Sequence, residues 1–463
     1  MSRPRRNAVT TSFDCRPNWT VNTDVVVAGG GAAGVAAAVT AARQGLRVAL
    51  IERYGFCGGG AVAGMSGTVC GLYAASADPA RPPEQVIFGF AEEFVQLLAS
   101  RGGLTPPMRY GKTWTRVHDP LMWREAADHL LREAGVQVFY HSTVVRVLLD
   151  ADRVGGLVAY TKQGELRVHA KLTIDASGDA DLVAMAGFPS FIGEDGKVQN
   201  PTMIFRLGGV DTERFLAAYG SDTIMPEQVS ELLRLHNGSG YDLPRAKIWL
   251  FTTTRPNELL CNCTRVIGPD RRELNTLFAV DFTDAEIEGR RQVREYARFF
   301  RDHLVGCETS WVNDTGVQVG VRQTRQARGT KTLRNEDVIH GTKCADGIAR
   351  SPWPIELHAG MKPRVEWLLD DYYEVPYGCF VPERGNGLLT SGRCLSAQHE
   401  AVASARVTAQ CFSYGQAIGH AAAMSIEAGC EPRELRGEDV RDRLNRDGAR
   451  LGTVRTGAKD HAT

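Results

Sequence analysis

No apolar run in this chain approaches the ~20 residues that a membrane-spanning helix needs, so a helical membrane protein is not expected. Excess charge is lacking too. The 54 Lys and Arg balance 54 Asp and Glu, with no dominant basic block, which argues against a nucleic-acid partner. The eleven cysteines are scattered and odd in number, which disfavours a disulfide framework and fits a reducing cytosol. Zinc spacing is missing as well: Cys261-x-Cys263 has no second Cys/His pair to complete a site, and no metal is expected. The basic start, Met1 to Arg6, runs into polar residues with no apolar stretch, so neither a secretory nor a twin-arginine signal is supported. Residues 1–21 read as a loose arm that Trp19 pins. The expectation is a soluble cytoplasmic enzyme, with its homo-oligomeric state left open.

Glycine is abundant, at 49 residues, and 43% hydrophobic content over 463 residues is enough for more than one domain. The glycines first cluster between Asp24 and Arg53. Val25-Val26-Val27-Ala28 is a strand-like run that reaches three glycines, an Ala-rich helical segment spans Val35 to Gln44, and Leu46 to Ile51 returns to Glu52. Gly29-x-Gly31-x-x-Gly34 therefore lies on a strand–turn–helix junction. Gly29 makes the tight turn, Gly31 lets backbone approach a pyrophosphate, and Gly34 lets helix pack on strand. Unpaired amides at the helix start face the phosphates. Glu52 suits a ribose 2′-hydroxyl and would repel a 2′-phosphate. This is a dinucleotide site, and the stretch alone leaves open which dinucleotide.

A second glycine cluster, Gly58-Gly59-Gly60, follows at once. A nicotinamide-binding domain has no obvious need for it, whereas an FAD stretched along the sheet edge does. Cys57 lies either near that cofactor or, on the plainer reading, as a small buried residue. Glu84 to Arg101 reads as a helix, and Asp119-Pro120 as N-cap and first-turn proline of a helix over 121–134. Thr143 to Leu149 and Gly155 to Thr161 form a hairpin-like pair, and Leu166 to Ala170 a further strand. Lys171 to Asp181 is a second strand running into a Gly turn. From about 190 to 374 alternating segments suggest a separate antiparallel sheet, with an amphipathic helix over 284–304. Leu388 to Arg393 and the small-residue helix from Val407 to Ala428 make a third strand–Gly–helix unit. A flavin uses such a unit, because a helix N-terminus stabilises negative charge on the reduced ring.

These stretches together resemble the FAD-dependent oxidoreductases of the FAD-oxidored family, within the glutathione-reductase-like flavoproteins and more distantly related to fumarate reductase and succinate dehydrogenase flavoproteins. The resemblance covers Thr23 to about Gly429. It rests on VVVAGGGAAG with IER, TIDASGDADLVAMAG, GVRQTRQARG, IARSPWPIELH, VPYGCFVP and LLTSGRCLSAQHEAVASARV. It implies an α/β fold: a Rossmann-like FAD-binding domain (22–188 and 375–430), an inserted, mainly antiparallel α+β cap (189–374), and a C-terminal tail (431–463). It places Gly29, Gly31, Ala32, Ala33, Gly34, Glu52 and Arg53 at the ADP half. Gly58, Gly59 and Gly60 would lie beside flavin or phosphates, and Cys57 before them departs from the family, where an apolar residue is expected. Val145 would meet the adenine through its backbone, and Ala176, Gly178 and Asp179 would flank the ADP moiety. Gly392, Arg393 and the helix starting at Val407 would hold the ribityl-flavin end. Arg393 departs from the family, where an acid is common.

The leading functional expectation is a dehydrogenase or oxidase that moves a hydride from a small organic substrate to flavin N5. The alternative is an NAD(P)H-dependent flavin monooxygenase or reductase; a binding protein with structural FAD is the third. His399 is the candidate base, with a hydrogen-bonded loop histidine as the plain reading. Arg406 is the candidate anchor for a substrate carboxylate or the flavin edge. Arg322, His358, Tyr372 and Tyr373 are the cap's candidates.

Overall fold

The computed structural model describes residues 19–358 and 363–452, and in it the first glycine-rich stretch builds the middle of a seven-stranded sheet. Its strands are β1 (Trp19–Ala28), β2 (Val48–Ile51), β3 (Gln137–Phe139), β4 (Thr143–Asp150), β5 (Arg153–Thr161), β6 (Gly164–Asp175) and β7 (Leu388–Thr390). The order is β3-β2-β1-β6-β5-β4, with β7 also beside β6. Val25, Val26 and Val27 have no exposed surface, which explains why β1 reads as a continuous apolar run instead of an alternating one.

β6 ties the sheet together. The two strands expected over 166–170 and 171–175 are one, twelve residues long. Its first half pairs antiparallel with β5, its last three residues pair parallel with β7, and β1 runs along its other side. The end of β6 therefore delivers the Asp175–Asp179 turn beside the first glycine turn, with Ala176 N–H donating to Ala28 O at 2.9 Å.

Helix α1 (Ala32–Arg43) is buried through its alanines against α5 (Thr408–Ala428). A Cβ at Gly415 would sit 2.2 Å from Ala33 O, and one at Gly419 would sit 2.7 Å from Ala37 O. These two glycines, one turn apart, let the helix backbones touch. Asp119 caps α2 (Pro120–Glu133), its Oδ1 accepting from Leu121 N at 2.8 Å and Met122 N at 3.2 Å, as the Asp-Pro pair predicts. The helix expected from Glu84 begins only at Phe90.

In the cap, a four-stranded antiparallel sheet runs in the order Trp249–Thr252, Glu258–Asn262, Phe205–Gly208, Trp311–Thr315. The amphipathic helix α3 (Ala279–His303) packs on it through Val293, Tyr296, Phe299 and Phe300. Several expected boundaries differ from what the structure shows. Residues 1–18 of the N-terminal arm and 453–463 of the tail lie outside the described residues, and Trp19 already belongs to β1. Leu333, Val338, Ile348, Ala349, Ile355 and Tyr373, expected in the cap, pack in the nucleotide-side core. Past residue 430, α6 (Gly437–Arg446) buries Val440 and Leu444 in that same core, because its apolar face needs cover. A separate cluster of Met65, Tyr110, Ile204, Trp249, Phe251, Leu260 and Trp353 joins the two sides.

Candidate functional site

A single cleft with a cavity volume of about 340 Å³ runs from the first glycine turn to the cap sheet. That volume lies within the ~300–1,000 Å³ of ordinary ligand pockets, and the lining extends from both glycine turns to the buried side chains of the cap.

The nucleotide end is made of backbone. Gly29 has φ +100°, and a Cβ on Gly34 would lie 1.8 Å from Gly29 O, so protein packing alone dictates these two. Gly31 and Gly60 differ. Both line the cleft, yet a Cβ on Gly31 would meet only Gly59 Cα, at 3.9 Å, and one on Gly60 would meet nothing within 4 Å. Nothing in the protein requires glycine there; a ligand pressed against the backbone would. Gly31 is the N-cap of α1 with no side-chain cap, which leaves the first-turn amides for phosphate. The residues present fit an FAD pyrophosphate. Glu52 is 5% exposed; its Oε2 accepts from Gly30 N at 2.6 Å and its Oε1 from Tyr54 N at 2.8 Å. Burial pushes its carboxyl up against those two bonds. Each oxygen keeps a lone pair for a ribose hydroxyl.

The second turn is organised by Asp175, a residue that sequence reasoning passed over. Fully buried, it accepts from Ser177 Oγ at 2.6 Å and from Leu182 N and Val183 N at 2.8 and 3.2 Å. Its neighbour Asp179 accepts from Arg393 Nη2 at 2.8 Å and also from Thr324 Oγ1. Burial alone would raise the Asp179 carboxyl, but Arg393 and Thr324 hold it below the usual range. The family departure at Arg393 thus has a partner in this chain.

The cap end is made of side chains. Tyr110 OH donates to Glu356 Oε1 at 2.6 Å, and His358 Nε2 lies 3.7 Å from Glu356 Oε2. Arg245 Nη2 lies 2.5 Å from His358 Nδ1. A guanidinium only donates, so Nδ1 accepts and the ring proton sits on Nε2, facing Glu356. Burial and the nearby Arg322 keep His358 neutral, well below its usual range. Burial would raise the Glu356 carboxyl, yet the Nε2 proton of His358, the Tyr110 hydroxyl and the Arg406 charge hold it below its usual range. Arg322 Nη1 donates to Asn200 O at 2.6 Å, and Arg406 Nη2 to Gln199 Oε1 at 3.3 Å.

Of the residues expected at the site, Gly29, Gly31, Ala32, Ala33, Glu52, Arg53, Gly58, Gly59, Gly60, Ala176, Gly178, Asp179, Gly392, Arg393, Val407, Arg322, His358 and Arg406 line this cleft. Gly34 lies behind the turn. Cys57 is buried beneath it, with Tyr140 OH donating to its Sγ at 3.6 Å, and burial pushes its thiol up. Val145 has a 43% exposed side chain and follows Ser142, Thr143 and Val144, which line the cleft; the contact expected of it is through its backbone. His399 does not line the cleft. It starts a separate helix, α4 (His399–Ala405), that precedes α5, and Gly193 is its neighbour. Two helical turns, ~10 Å at 1.5 Å per residue, separate it from Arg406 at the other end of α4. Tyr372 stacks with Lys343 and Arg350, and Tyr373 is buried on Ser404. Tyr110 and Glu356 were missed. Glu356 stands inside the Pro-rich IARSPWPIELH motif, but no local signal marks Tyr110.

The family model described as FAD dependent oxidoreductase matches residues 24–444. No curated protein matches the sequence. Among solved structures, a geranylgeranyl bacteriochlorophyll reductase-like protein from Thermoplasma acidophilum is similar over 93% of this chain and 84% of its own, with 14% identity and a TM-score of 0.51. The flavin-dependent brominase Bmp2 covers 92% and 84%, with 15% identity and a TM-score of 0.49. The p-nitrophenol 4-monooxygenase from Pseudomonas putida covers 91% and 84%, with 11% identity and a TM-score of 0.49. At these identities the first supports the fold alone.

Proposed function

The chain belongs to the FAD dependent oxidoreductase family, and from that premise we propose that it oxidises a small organic substrate held between the nucleotide side and the cap. FAD is its cofactor and, when bound, supplies the hydride acceptor. The observation that carries this reading is one cleft that joins a phosphate-ready glycine turn to the buried Tyr110–Glu356–His358 cluster. Gly29, Gly31 and the first amides of α1 hold the pyrophosphate, and Glu52 holds the ribose. Tyr110 and Glu356 take the substrate proton: the hydroxyl accepts it while passing its own to the carboxylate. A carboxylate of low pKa suffices, because a substrate that has lost a hydride is a far stronger acid. His358 positions Glu356 and has no free lone pair of its own. Kinship with glutathione-reductase-like flavoproteins and the fumarate reductase group belongs to the same reading, supported by the three strand–Gly–helix units. Among the described residues no helix is long and apolar enough to cross a membrane.

The test is anaerobic reduction of the purified yellow protein. Bleaching by an organic substrate and not by NAD(P)H supports the proposal. Bleaching by NAD(P)H alone would move the protein to the monooxygenase or reductase class.

A further inference from the structure

We infer that the substrate of this cleft is an organic carboxylate, held between Arg322 and Arg406. This rests on the oxidoreductase reading above and adds its substrate class.

The first support is charge. At the cap end three guanidinium groups, Arg245, Arg322 and Arg406, surround one carboxylate, Glu356. The other acids on the cleft wall are engaged elsewhere. Asp179 is paired with Arg393, Asp181 with Arg325, and Glu52 holds two backbone amides beside Arg53. Arg245 is 1% exposed and Arg322 6%, and Arg406 is half-buried at the cleft wall. Buried charge is costly without a counter-charge. Arg322 feels this most: burial, with Arg245 and Arg406, holds it well below its usual range, while Arg406 is pushed down to about 10 by burial and Arg393. An anion between the two wall arginines relieves this.

The second support is unused hydrogen bonding. Each guanidinium offers five donors. Arg322 spends Nη1 on Asn200 O and, at 3.4 Å, Nη2 on Asn262 Oδ1; Arg406 spends Nη2 on Gln199 Oε1. Arg406 Nε is buried and has no partner among the described residues. Two planar forks with free donors match a planar carboxylate. Arg245 stays behind the wall, donating to Thr264 O and His358, and adds field without touching the ligand. Ile204, Phe251 and Trp353 supply apolar wall for the organic part.

The experiment uses FAD-loaded protein with acetate and oxalate as probes and acetamide and methylammonium as controls. It follows the flavin absorption spectrum and thermal stability, and FAD content is measured in every sample. Acetate and oxalate should perturb the spectrum saturably and raise Tm, and the controls should do neither. Arg322→Met and Arg406→Met should each weaken oxalate binding at least tenfold with FAD content unchanged, and Arg406→Lys should recover part of the loss. Equal binding of acetamide and acetate, or methionine variants that bind oxalate like the native protein, would overturn the inference. So would the absence of any anion effect on native protein that retains FAD, since the arginines would then serve the cofactor alone. A protein that takes up no FAD sinks the underlying reading instead.

Discussion

The two ends of the cleft are built from different material. The nucleotide end is backbone: two glycine turns and a helix start, all within about thirty residues of β1, whose shape is set by what a Cβ would strike. The cap end is side chain: Tyr110, Arg245, Arg322, Glu356 and Arg406, drawn from segments as much as 296 residues apart. Backbone recognises what all dinucleotides share and tolerates little change. Buried charge recognises one substrate class, and its cost is relieved only by the matching ligand. A family that keeps its cofactor and varies its substrate is well served by that division.

The largest effect should come from Gly34→Ala. Its Cβ would overlap Gly29 O at 1.8 Å, so the turn or the helix must move. A loss of at least about 3 kcal/mol in apoprotein stability is expected by urea denaturation, with FAD uptake abolished. An unchanged midpoint would mean that the turn is softer than its packing implies.

Glu356→Gln tests the other end. The folded carboxyl sits at about 2, against ~4.3 in an unfolded chain. The ionised form therefore contributes stability that is fully present above about pH 5 and fades as pH falls from there towards 2. Glutamine should remove it and flatten the stability profile across that window, and a profile that keeps its slope would assign the acid sensitivity to other carboxylates.

Gly31→Ala separates ligand from protein. With only Gly59 Cα at 3.9 Å and an ordinary φ of −68°, the apoprotein should keep its stability to within ~0.5 kcal/mol. FAD affinity should nevertheless fall tenfold or more, about 1.4 kcal/mol. Equal affinity by FAD titration would show that the pyrophosphate does not press on this turn. The smallest effect is expected at His399. Away from the cleft, His399→Ala should leave flavin reduction by substrate within about threefold of native in stopped-flow, where a lost general base costs ~10²–10⁴.

Glu52 shows how far the motif alone carries. The motif implies a ribose contact, and Glu52→Arg would then weaken FAD with the fold intact. In the structure the carboxylate is buried and satisfies Gly30 and Tyr54 amides, so an arginine would leave both unpaired and cost the fold as well. His399 was misplaced because a seven-residue helix intervenes before α5, and a run of small residues from Ala401 to Ala428 does not show where one helix stops and the next begins.

By itself the sequence determined the dinucleotide turn and the capped helix at Asp119, because each depends on residues within a few positions of one another; the α/β fold and the cofactor class came from several such stretches read together. Steric exclusion at glycine and hydrogen-bond satisfaction at a helix end are local, and local constraints are written locally. The tertiary structure alone decided that β6 is one strand serving three partners, that Asp179 neutralises Arg393, and that Tyr110, Arg322, Glu356 and Arg406 line one cleft with Arg245 behind its wall. Those depend on charges and backbones meeting across the fold, where long-range packing sets both distance and dielectric, and no spacing along the chain records either.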